Sequence, residues 1–385
     1  MRDDGAVNGR MPAYVGSAAP SPTRLLSLDV LRGVTVAAMV LVNNPGTWRA
    51  VYPPLRHAAW HGATPTDAIF PFFLFIVGVA IPLGIGPRIA RDDRAAVIVK
   101  ILRRSVLIFA LGLVLEAVPR FQWETLRIPG VLQRIAVCYL LAALLFLVTT
   151  WRGQLVATAT LLLAYWGVMM LIPAPGHDAG DLSPAGNLAG YVDRVVLGAH
   201  VWRIDPRYDP EGVLSTIPAL ATTLIGVLAG HWLRSGRGPR AVTAGLAIAG
   251  SAGIGLGLAW SFVFPLNKTL WTSSYAVLMA GAALLALAAC YWLIDVCGYR
   301  RGVAPFAALG VNALALFFFS SLVARLLAAV RVGTPATSLH AVLFERVFAP
   351  WAAPVVASLA YALAYVVVWW TLMWILYRRH IELRV

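Results

Sequence analysis

Residues 68–86 read AIFPFFLFIVGVAIPLGIG, a run of 19 residues without one charged side chain. A helix rises about 1.5 Å per residue, so roughly 20 such residues cross a hydrocarbon core of about 30 Å. Inside lipid every backbone N–H and C=O must find its partner within the protein, and a helix meets that demand segment by segment. The stretch therefore predicts a transmembrane helix, and the chain on either side repeats the pattern. Nine further spans are expected at about 27–43, 101–118, 131–149, 155–172, 213–233, 242–264, 270–294, 305–329 and 352–377. Two are less apolar than the rest: 101–118 carries Arg103, Arg104 and Glu116, and 131–149 opens with Gln133 and Arg134. The fold class is all-α, a polytopic membrane helical bundle of about ten transmembrane helices.

The bulk numbers agree. Of 385 residues 60% are hydrophobic and only 12% charged, against about a quarter charged in soluble domains. The mean hydropathy is +0.77. A net charge of +14 invites a nucleic-acid partner, but the basic residues sit in short clusters between apolar runs, where they orient helices instead of forming one basic face. No nucleic acid is expected as a partner. Cys138, Cys290 and Cys297 have no metal-ligand spacing, and no metal site is expected.

Ten spans put both termini on one side. The N-terminal tail, the C-terminal tail and the loops on their side hold 18 Lys and Arg, the opposite loops 10, and three more lie inside spans. This bias places both termini in the cytoplasm of an inner membrane. Residues 1–24, rich in Gly, Ala, Pro and Ser, read as a disordered cytoplasmic tail ahead of a membrane domain over 25–385. The longest connection, about 173–213, then lies outside. It carries Asp178, Asp181, Asp193, Asp205, Asp209 and Glu211 against three arginines, and a connection of this length is expected to be functional or packed over a cavity.

Ionisable groups within apolar spans are costly and face a cavity or a partner. Asp29 and Arg32 lie one helical turn apart and can pair, while Asp67, Glu116 and Arg134 stand at span ends. The most informative stretch follows the first span: Asn43-Asn44-Pro45-Gly46, then Arg56-His57-Ala58-Ala59-Trp60-His61-Gly62, then Thr64-Pro65-Thr66-Asp67. An imidazole is a good general base near neutral pH and a competent acyl acceptor. A carboxylate can fix its tautomer, and an asparagine amide can donate to an oxyanion. A histidine beside a tryptophan is equally at home as an anchor at the headgroup level.

The segments SLDVLRG, VNNPG, HAAWHG and TDAIFPFFLFIVG between Ser27 and Gly78 resemble the catalytic domain of the heparan-α-glucosaminide N-acetyltransferase family and its bacterial transmembrane relatives. The resemblance continues through RIPGVLQRIAVCY at 127–139, YDPEGVLSTIPA at 208–219, PLNKTLWTSSY at 265–275 and LGVNAL at 309–314. It implies transfer of acetyl from cytoplasmic acetyl-CoA, as co-substrate, to the amine of a glucosamine-like sugar on the periplasmic side of a bacterial inner membrane. It makes His57 the catalytic histidine and Asn43 its companion, and relatives suggest a homodimer. A supporting role for Asp67 is read from the chemistry alone.

On that reading Arg32, Arg103 and Arg104 meet the phosphates of acetyl-CoA. Asp209 and Glu211 hold the sugar ammonium or cap the following helix. Asn267, Lys268, Trp271 and Tyr275 line the acceptor side, the aromatics stacking on the sugar or serving as belt residues. His57 either takes the acetyl or deprotonates the amine. Two other classes share the spans and buried charges: a sugar or lipid-intermediate transporter without bond-making chemistry, and a structural subunit of a polysaccharide machine. Neither explains HAAWHG.

Overall fold

The computed structural model describes residues 25–89, 93–333 and 336–383. The tail expected over 1–24 lies outside the described residues. Helices follow one another as α1 (Leu26–Asn43), α2 (Ile69–Gly84), the short α3 (Gly86–Ile89), α4 (Arg94–Ala117), α5 (Val131–Val148), α6 (Trp151–Leu171), α7 (Leu188–Leu197) and α8 (Thr216–Leu233). Then come α9 (Pro239–Trp260), α10 (Ser273–Cys290), α11 (Val303–Val311), α12 (Ala313–Ala329), α13 (Leu339–Leu343) and α14 (Pro354–Arg378). The strands β1 (Arg331–Val332) and β2 (Thr337–Ser338) pair antiparallel, Arg331 facing Ser338.

Among the described residues eight helices are long and apolar enough to cross a membrane, and α11 with α12, bent by 76° at Asn312, brings the number to nine if the pair counts as one broken span, against the ten expected. The segment expected over 101–118 forms as α4, 24 residues long but carrying Arg94, Lys100, Arg103, Arg104 and Glu116. The protein is a multi-pass membrane bundle. The bend is a departure from the expected straight span over 305–329. The Asn312 side chain explains it: Nδ2 donates to the Ile381 carbonyl at 3.2 Å and Oδ1 accepts from the Leu383 N–H at 2.8 Å, so the C-terminal strand of chain is tied into the break. Nor is the connection over 173–213 structureless. It contains α7, whose first turn is capped by the Asn187 side chain accepting from the Gly190 N–H at 2.7 Å.

Two crossings set the frame. A Cβ on Gly33 would stand 1.8 Å from the Phe306 carbonyl oxygen, and one on Gly310 would stand 1.8 Å from that of Asp29, so α1 and α11 meet backbone to backbone. A Cβ on Gly78 would lie 1.9 Å from the Thr223 oxygen and one on Gly226 2.1 Å from that of Phe75, bringing α2 equally close to α8. Small residues at such crossings let membrane helices gain van der Waals contact that the hydrophobic effect does not supply in lipid. The main core then fills around α1, α2 and α12 with Val36, Val40, Phe73, Leu74 and Leu316.

Candidate active site

The chain between α1 and α2 folds back through two single-turn helices, Pro53–Leu55 and Pro65–Ala68. Proline at the first position of the second turn presets φ where no N–H is needed. Asp67 stands on that turn with its side chain 1% exposed. Its Oδ2 accepts from the Thr64 N–H (2.9 Å), the Thr64 hydroxyl (3.0 Å) and the Ala58 N–H (3.1 Å). Its Oδ1 faces His57 Nδ1 at 2.7 Å. From behind, the Tyr275 hydroxyl donates to the Asp67 carbonyl at 2.6 Å. With Oδ2 already receiving three donors, Oδ1 is the acceptor that holds the proton on Nδ1 and leaves the Nε2 lone pair outward. The imidazole itself is 47% exposed, so a reacting group can reach it.

The second component comes from the tight turn before α10. Asn267 Oδ1 accepts from the Leu270 N–H at 2.9 Å, the Asn267 N–H donates to the Thr272 hydroxyl at 3.0 Å, and Trp271 takes a left-handed φ of 51°. The Gly62 N–H donates to the Leu266 carbonyl at 2.7 Å, tying this turn to HAAWHG. Lys268 is thereby delivered to the histidine: Nζ lies 3.0 Å from Nδ1, 3.3 Å from Nε2 and 3.6 Å from Asp67 Oδ1. Burial lowers the Lys268 pKa below its ordinary value and Arg134 acts the same way, against the opposing pull of Asp67 and Glu211.

Trp271 and Tyr275 stand differently from the sugar-facing position expected of them. Both are fully buried; the Trp271 indole donates to the Thr222 hydroxyl at 3.1 Å and sits edge-on to Phe70 and Tyr275. They brace the site from inside the bundle. Other aromatic side chains meet where the HAAWHG segment touches the connection before α8: Trp60 lies 4.9 Å from Tyr208, and Tyr208 lies 5.9 Å from Trp202, centroid to centroid. All three are half-buried.

Asp209 and Glu211 are joined by a residue the sequence reading did not single out. Arg127 donates from Nε to Asp209 Oδ2 at 2.9 Å, from a terminal nitrogen to Asp209 Oδ1 at 2.5 Å, and from the same nitrogen to Glu211 Oε2 at 2.6 Å. Burial works against the Arg127 charge, but Glu211, Asp209 and Glu116 outweigh it and raise its pKa. Burial would likewise raise Glu211, yet Arg127, Arg134 and Lys268 bring it below its ordinary value. Neither acid caps α8, whose N-cap is Ser215. Arg134, wholly inside, donates to the Gly212 carbonyl at 3.1 Å and to the Ser215 hydroxyl at 2.5 Å, with its guanidinium over the Trp271 ring. The signal for Arg127 was its place in RIPGVLQRIAVCY, seven residues before Arg134.

Arg32, Arg103 and Arg104 come together elsewhere. With Lys100 they line a cavity of about 580 Å3 walled by α1, α2, α4, α5 and the break at Asn312. Arg32 also pairs with Asp29 at 3.4 Å, and the Arg104 guanidinium lies 4.9 Å from the Tyr139 ring centre. Along α2 the lining runs from Ile85 to Phe73, twelve residues or roughly 18 Å. Asp67 precedes Phe73 by six residues, roughly 9 Å further along the same axis. Asn43 is exposed at the end of α1, and among the described residues its side chain makes no hydrogen bond, to His57 or otherwise. Glu116 pairs with Arg325 at 2.9 Å.

Comparison with known proteins brings a match over residues 24–255 to the family model described as heparan-alpha-glucosaminide N-acetyltransferase, catalytic. A heparan-alpha-glucosaminide N-acetyltransferase of Homo sapiens is 30% identical over 352 residues, covering 77% of this chain and 52% of the relative. That of Mus musculus is 29% identical over 352 residues, covering 77% and 53%. The chain thus spans about half the length of the curated relatives it matches.

Proposed function

We propose a function on the premise that this chain belongs to the heparan-alpha-glucosaminide N-acetyltransferase catalytic family: it moves an acetyl group from acetyl-CoA, through the bundle, to the amine of a glucosamine-like sugar. The observation that carries the reading is the arrangement at His57, with its Nδ1 held 2.7 Å from a buried carboxylate and its exposed edge beside Lys268. A headgroup anchor needs no such carboxylate, and a transport pathway needs no fixed imidazole tautomer. Acyl transfer uses both.

The donor is assigned to the basic cavity, whose four cations suit the phosphates of acetyl-CoA. With α4 taken as a tenth crossing, the positive-inside bias assigns this end to the cytoplasm, with both termini, and His57 to the periplasmic side of an inner membrane. The cavity lining reaches Phe73, so the slender pantetheine arm has roughly 9 Å to cover from there to the level of Asp67. Asn43 is the oxyanion donor in this scheme. The acceptor docks from outside against Trp60 and Tyr208. Asp209 and Glu211 serve it indirectly, by setting Arg127 and the turn that faces Lys268.

The test is incubation of purified protein in vesicles with labelled acetyl-CoA and glucosamine. Label is expected on the sugar with the wild type and not with His57→Ala. Movement of unmodified sugar without acetylation supports the transporter reading instead.

A further inference from the structure

A nucleophilic histidine leaves a proton unaccounted for. In the first half-reaction, which rests on the function proposed above, neutral His57 attacks the thioester carbon through Nε2. The C–S bond breaks, CoA departs as thiolate and takes a proton from solvent, and the acetyl-imidazolium is balanced by Asp67. In the second half the acceptor, reacting as its free amine, bonds to the acetyl carbon to give a tetrahedral adduct whose nitrogen carries one proton too many. That proton leaves from the adduct, before the C–Nε2 bond breaks with its electron pair returning to Nε2. His57 cannot take it at that point, because Nε2 still holds the acetyl carbon and Nδ1 already carries its proton toward Asp67.

We propose that Lys268, as its neutral amine, accepts that proton. Its Nζ lies 3.3 Å from Nε2, the atom that carries the acetyl, and so within reach of an amine attacking there. The charged groups that face it are His57 and Asp67 from the segment before α2, Glu211 from the segment before α8, and Arg134 from α5. None of the others can act in its place. Asp67 is 1% exposed with both oxygens engaged, Glu211 is held by Arg127 at 2.6 Å, and Arg134 is a permanent cation. Burial favours the neutral form that the step requires. Lys268 then passes its proton to the outer solvent through the 23% of its side chain that is exposed. The rival role, neutralising Asp67, asks only for a positive charge.

Lys268→Gln and Lys268→Arg separate the two. The first measurement is exchange of labelled CoA into acetyl-CoA without acceptor, which reads the His57 half-reaction alone. The second is acetylation of glucosamine against pH. Both variants are expected to retain exchange within about threefold and to lose about 100-fold in maximal transfer rate, with little change in acceptor KM. The wild-type transfer rate should rise through the ionisation of Lys268, and that limb should be missing in Lys268→Gln. Wild-type transfer by Lys268→Arg overturns the proposal in favour of charge neutralisation, and so does a parallel loss of exchange and transfer. If the wild type itself shows no exchange, the acyl-histidine premise fails and the proposal falls with it.

Discussion

The two ends of α2 hold charge in opposite ways. At the end bearing Asp67 the ionic groups are buried against one another in short, directed bonds: His57 on Asp67 at 2.7 Å, Arg127 on Asp209 and Glu211, and Lys268 between Asp67 and His57. At the end bearing Ile85, Arg32, Lys100, Arg103 and Arg104 surround open volume, and no acid is among the described lining residues. A site that must hold reacting atoms in place benefits from groups fixed by their neighbours. One that must admit and release a large polyanion benefits from flexible cations around a void. On the proposed function the contrast is between a preorganised chemical end and a receptive donor end, and substitutions at the two ends should fail in different ways.

The largest effect is expected at the chemical end. His57→Ala should lower transfer by about 10^3-fold or more while the protein inserts and purifies normally, read as label on glucosamine per mole of protein. Near-full activity in that variant contradicts the assignment. Asp67→Asn keeps the shape but removes the acceptor that selects the Nδ1–H tautomer, and a loss of about 100-fold in kcat is expected with acetyl-CoA KM little changed. At the donor end the signature should reverse. Arg103→Ala with Arg104→Ala should raise the KM for acetyl-CoA about tenfold, leave kcat within about twofold, and weaken the salt dependence of donor binding. A kcat defect there would erase the distinction between the ends. Tyr208→Ala should raise the acceptor KM by a few-fold, the scale of one aromatic contact, without touching the donor. His61→Asn should change either constant by less than about twofold, since no described hydrogen bond joins His61 to the site.

What could be read from the sequence divides along the same physical line. Runs of about 20 apolar residues fix where helices cross, so the span expected at 27–43 forms over Leu26–Asn43 and that at 131–149 over Val131–Val148. The break at Asn312 was invisible, because both sides of it are apolar and the bend depends on backbone groups at Ile381 and Leu383, far along the chain. Local sequence likewise brought His57 and Asp67 into view together, ten residues apart across a short return of the chain. Burial by distant elements was not legible. Trp271 and Tyr275 open a helix at the outer end, as a belt or a sugar platform would, yet Thr222 on α8 and the backbone of Asp67 claim their polar atoms. Asp209 and Glu211 read as ligands of the sugar ammonium or caps of the following helix, because Arg127 lies more than 80 residues away.

The most direct measurement places the two substrates on opposite sides of a sealed vesicle holding the protein in one orientation, with labelled acetyl-CoA facing the Arg103–Arg104 cavity and glucosamine facing His57. The expected result is labelled N-acetylglucosamine on the sugar side, CoA on the donor side, and neither with His57→Ala. Product formed only when both substrates share one side would contradict transfer along α2.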